Sequence, residues 1–148
     1  LPFHAKLNPR TALSAEIFQE YLSHPSVYDE WLNYTRSNGA VAAATLALRQ
    51  SKDGGTLSKR DRAKWLRQSL AWLRDDLAVT RIELAQGTPQ QVARALQHLS
   101  FYNSSKTMSF IRDDIGRLPE SARNDFRQFW IDLRASLEQA RRRKAMLD

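Results

Sequence analysis

Apolar positions return every three to four residues along most of the chain, the spacing of helices that turn one face away from water. Leu13, Ile17, Phe18 and Tyr21 form such a face after Asn8-Pro9, where a capping side chain precedes a proline suited to a first helical turn. His24-Pro25 ends that segment and begins the next, in which Tyr28, Trp31, Leu32 and Thr35 recur at helical spacing. Asn38-Gly39 is expected to stop that helix or bend it sharply. Ala40 to Gln50 is almost entirely Ala, Leu and Val, and its small side chains predict a central helix that a neighbour approaches closely. Asp53-Gly54-Gly55 reads as the clearest loop.

Ser58 is placed to cap a long helix that runs to about Gln86 and closes at Gly87, roughly 40 Å at 1.5 Å per residue. Leu66, Leu70, Leu73, Leu77 and Leu84 share one stripe of it; Trp65, Trp72 and Val79 form a second, about a third of a turn away. Two stripes predict two neighbours. Thr88-Pro89-Gln90-Gln91 carries a capping-box pattern with proline at the first position, and Val92, Leu96 and Leu99 supply the apolar side of the helix it opens. Asn103-Ser104-Ser105 breaks that helix. A short helix with Met108, Ile111 and Ile115 is predicted to end at Gly116, and Leu118-Pro119 to start the last one. Its stripe is Ala122, Phe126, Phe129, Trp130, Leu133, Leu137 and Ala140.

No segment alternates apolar and polar residues with β-branched enrichment, so no sheet is predicted. The expected fold is all-α: one domain over residues 1–148, a compact bundle of six or seven helices. Its two long helices, about Ser58–Gln86 and Pro119–Met146, pack along each other through Leu66, Leu70, Leu73 and Leu77 and through Phe126, Phe129, Leu133 and Leu137. The helices before residue 53 close one end.

Charge adds a second pattern. The formal net charge is +7, and of the 23 basic residues 17 are Arg and 6 Lys. Arginine keeps its charge and offers a planar fork that suits carboxylates and phosphates. Opposite the Trp stripe of the long helix lie Arg60, Arg67, Arg74 and Arg81, spaced by seven and so about 10 Å apart in line. Ala63, Lys64, Ala71, Ala78 and Ala85 flank them, so no intrahelical acid pairs with this row. The last helix carries Arg123, Arg127, Arg134 and Arg141, partly neutralised by Glu120 and Glu138, and ends on Arg141-Arg142-Arg143-Lys144. Side by side, the two rows would combine into one basic surface.

Residues for catalysis are sparse. The absence of cysteine excludes disulfides, Cys-ligated metals and thiol chemistry. His4, His24 and His98 lie far apart, with no His-x3-His or Glu-x-x-His pattern. Glu16, Glu20 and His24 are spaced by four and read as a polar helix face. Asp29-Glu30, Asp75-Asp76 and Asp113-Asp114 are adjacent pairs that point about 100° apart, poor geometry for sharing a proton. Nucleophile-elbow, phosphate-loop and dinucleotide-binding motifs are missing. Trp65, Trp72, Phe126, Phe129 and Trp130 are expected in the core rather than stacked on a ligand. Asn33-Tyr34-Thr35 and Asn103-Ser104-Ser105 match the N-glycosylation pattern, which matters only on a secretory route.

No apolar run is long enough to span a bilayer. The chain opens on Leu1 rather than Met, which leaves a removed leader, tag or preceding domain as an open expectation. The predicted function is that of a soluble, non-catalytic helical interaction module, without cofactor or metal. It presents helix surfaces to an acidic protein surface or another helical protein. The alternative is nucleic-acid binding, with the arginine rows on phosphates. The candidate basic face is Arg60, Arg67, Arg74, Arg81, Arg127, Arg134 and Arg141. Compartment and oligomeric state are not specified by the sequence.

Overall fold

The computed structural model describes residues 12–23, 31–48 and 57–148, with side chains in its first two helices described over 15–20 and 36–48. The expectations at Asn8-Pro9, His24-Pro25, Asp29-Glu30 and Asp53-Gly54-Gly55 lie outside these residues. The described residues are all-α, without a strand: α1 (Ala12–Ser23), α2 (Trp31–Leu48), α3 (Lys59–Gln86), α4 (Pro89–Ser104), α5 (Ser109–Arg112) and α6 (Glu120–Leu147). The chain divides into two compact units, Leu1–Leu73 and Arg74–Asp148, so α3 gives its first half to one and its second half to the other.

In the N-terminal unit α1 packs on α2. Asn38-Gly39 does not break the chain there, as the turn propensity of that pair predicts; α2 runs through it from Trp31 to Leu48. The glycine serves packing instead. A Cβ at Gly39 would stand 3.1 Å from Trp72 ring carbons and 3.2 Å from Phe18 Cβ, so its missing side chain makes room for the indole. Ala40, Ala42, Ala43 and Ala44 are fully buried, in keeping with the close approach expected of this segment. Ser69, also buried, donates to the Ala40 carbonyl at 2.7 Å.

The C-terminal unit is built from the second half of α3, α4 and α6. α4 turns back along α3: Arg94 pairs with Glu83 at 3.1 Å, and His98 with Asp76. The reversal is made by Gly87, whose φ of 75° suits a residue without a Cβ, followed by the Thr88–Gln91 capping box. α6 packs on α4 and is bonded to the second half of α3 at two levels. Arg81 Nε donates to Ser136 Oγ at 2.8 Å, and further along Arg143 donates to the Leu84 carbonyl. The core is Leu77, Leu84, Leu99, Tyr102, Phe126 and Trp130 with Phe129, Leu133 and Leu137, all buried.

Two details depart from the periodicity. Val79 is 40% exposed, so the second stripe of α3 buries only Trp65 and Trp72. The single helix expected over Met108–Gly116 is three short pieces: a 3-10 turn at Lys106–Met108, α5, and another at Ile115–Arg117. The reason is competition for its carbonyls. Trp130 Nε1 donates to Ile111 O at 2.9 Å, and Asp114 N–H reaches back five residues to Ser109 O, which the helical bond from Asp113 N–H already uses.

Candidate functional site

α3 is opened by Ser58, whose hydroxyl accepts from Asp61 N–H at 3.1 Å. With Trp65 and Trp72 turned inward, the helix repeat turns the arginine row outward. Arg60 and Arg67 in the N-terminal unit and Arg74 in the C-terminal unit are exposed, and none forms a hydrogen bond or ion pair with another described residue. Arg81 is also exposed but is tied to α6, through Ser136 and through the Asp132 carbonyl at 3.3 Å. Both acceptors are neutral, so the Arg81 charge is not cancelled by them.

The α6 row is engaged differently. Arg127 donates to Asn124 Oδ1 at 3.3 Å, and Arg141 pairs with Glu138 at 2.5 Å. Arg134 is exposed and lies in the field of Asp113. The Arg112 guanidinium, hydrogen-bonded to Asp113, is the main cause holding that carboxyl below its usual range; Arg134 adds to the effect. At about 100° per residue, Arg127, Arg134 and Arg141 point roughly 140–180° away from Ser136, which faces α3. Within the C-terminal unit the α6 row is therefore turned away from α3, and the two rows do not merge across that seam.

Three other arginines show where much of the arginine excess goes. Arg112 donates to the carbonyls of Tyr102 and Ser105 at 3.0 and 2.8 Å, closing α4. Arg123, expected beside Glu120, instead binds Leu118 O at 2.8 Å and Gly116 O at 3.0 Å. Arg143 binds Leu84 O in the last turn of α3, where unpaired carbonyls and the negative dipole end attract a cation.

A polar cluster that sequence spacing did not bring together lies between α3 and α4. Asp76 is 1% exposed, and its Oδ2 accepts from the Tyr102 hydroxyl and meets His98 Nε2 at 2.6 Å. The His98 ring stands edge-on to Tyr102 at 5.0 Å. The carboxylate thus clasps two residues one turn apart on α4, the kind of network that fixes how two helices pair. Among the described residues no group of three His, Cys, Asp or Glu is placed to hold a metal ion, and no helix is long and apolar enough to cross a membrane.

The chain was compared with models of protein families, with curated proteins and with solved structures. None of the three matches it. The functional reading therefore rests on the residues alone. Glu16 and Glu20 are exposed on α1, whereas His24, the third member of that trio, lies outside the described residues. Asp75 is exposed and Asp76 buried, so this adjacent pair points apart as its spacing implies.

Proposed function

We propose that the protein is a non-catalytic helical interaction module whose outward α3 arginines receive an acidic protein partner. The observation that supports this is the contrast between two rows of equal spacing. Arg127 and Arg141 of α6 have local partners and Arg134 alone of those three is unbonded, whereas Arg60, Arg67 and Arg74 of α3 are all exposed and unbonded among the described residues. Like charges about 10 Å apart in water repel by only ~0.4 kcal/mol before screening, so such a row costs the fold little. Opposed carboxylates would turn that weak repulsion into several charge-assisted contacts. A nucleic acid is the second reading, favoured by the lack of acids three or four residues from each α3 arginine, where Ala63, Ala71, Ala78 and Ala85 stand among the neighbours.

Titration of the full chain with polyglutamate and with duplex DNA, at about 50 and 200 mM salt, separates the two. The protein reading expects Arg67→Glu/Arg74→Glu to weaken polyglutamate binding at least ~10-fold, with the control Arg127→Glu/Arg141→Glu losing less than ~3-fold. Equal losses would mean that net charge alone governs, and would remove α3 from the role. Preferential, steeply salt-dependent DNA binding would favour the second reading.

A further inference from the structure

The exposed face of α3 within the C-terminal unit mixes charge with apolar surface. Ile82 is 61% exposed and Val79 40% exposed, while the rest of the apolar side of α3 is inside. Ala78 and Ala85, one turn to either side of Ile82, are exposed as well, so the ground around it is low. Arg74 and Arg81 border this patch on one edge at a spacing of seven residues. Asp75 is exposed on the opposite edge, beyond Ile82.

From this we infer that the Ala78–Ile82–Ala85 face docks an amphipathic helix of a partner protein, with acidic residues along the edge that meets Arg74 and Arg81. The inference rests on the interaction-module reading and specifies its partner. Charge complementarity selects the occupant. A second copy of this chain would bring its own arginines against these, on a molecule already at +7. A phosphate backbone would satisfy the arginines and leave Ile82 and Val79 against polar atoms. A helix with apolar residues at three- and four-residue spacing covers Ile82 between the alanines, where the low side chains let its backbone come near. Acids seven residues apart on its flank fall in step with Arg74 and Arg81, since both helices share the same rise.

The test uses the full chain and three probes: a peptide of about three heptads with Leu at core positions and Glu along the flanks, a scrambled peptide of the same composition, and duplex DNA of matched charge. The amphipathic peptide is expected to bind at least ~10-fold more tightly than the scrambled one. Arg74→Glu should weaken both peptides. Ile82→Ser, at a solvent-exposed position, should erase the difference between them while circular dichroism and the melting midpoint stay unchanged. Equal binding of the two peptides would overturn the inference and leave the basic module standing. Tighter binding of the DNA would overturn it in favour of phosphate recognition. Failure of every probe at low salt would overturn it together with the reading it rests on.

Discussion

A methyl group at Gly39 has almost no space, because the Trp72 ring and Phe18 Cβ already stand 3.1 and 3.2 Å from where it would sit. Alanine raises helix propensity by about 1 kcal/mol over glycine, but overpacking a filled core costs about 1–3 kcal/mol. Gly39→Ala is therefore expected to destabilise by about 1 kcal/mol, read as a lower denaturant midpoint; a gain in stability would contradict the close packing. Asp113 offers a titration. Its folded-state pKa is lowered, chiefly by the hydrogen bond from Arg112, so the pair's contribution is complete above the ordinary carboxylate range and fades as pH falls through the lowered midpoint. Arg112→Ala should move the Asp113 carboxyl midpoint, followed by NMR, upward towards its ordinary value. The Asp76 cluster was only half legible at this scale. Asp76 falls between the Trp72 and Leu73 stripes of α3, which was the available sign that it points inward. Its partners sit 22 and 26 residues away on another helix, a separation that no local spacing rule reaches.

At the scale of elements, what the sequence specified best was helix ends, because caps are made by residues within one turn of each other. Ser58, Gly87 and the Thr88–Gln91 box all act where their order along the chain places them. Thr88→Ala removes the hydroxyl that accepts from Gln91 N–H, and should cost about 1 kcal/mol in the unfolding free energy. What the sequence missed were places where a distant residue competes with local preference. Trp72 turns a glycine that reads as a corner into a helix interior, and Trp130 takes the Ile111 carbonyl and interrupts a helix that its periodicity would continue. The short pieces between α4 and α6 follow from that tertiary bond, whose donor lies 19 residues further on.

For the molecule as a whole, the all-α class follows from the apolar periodicity, since such faces are stable only against one another. Leu133, 1% exposed, sits at the middle of the α6 stripe; Leu133→Ala should cost about 2–5 kcal/mol by chemical denaturation, and a change below ~1 kcal/mol would contradict its placement. Which arginines face solvent unpaired was not legible in the same way. Sequence spacing placed Glu138 beside Arg141, where it pairs, but only the folded chain distinguishes Arg74 from Arg81 or sets Arg123 on carbonyls instead of on Glu120. The central claim, that the α3 row rather than the α6 row receives an acidic partner, is tested most directly by following backbone amide shifts during titration with polyglutamate. The α3 amides around Arg67 and Arg74 are expected to move first, with those around Arg127 and Arg141 lagging. Shifts centred on α6, or spread evenly over both helices, would contradict it.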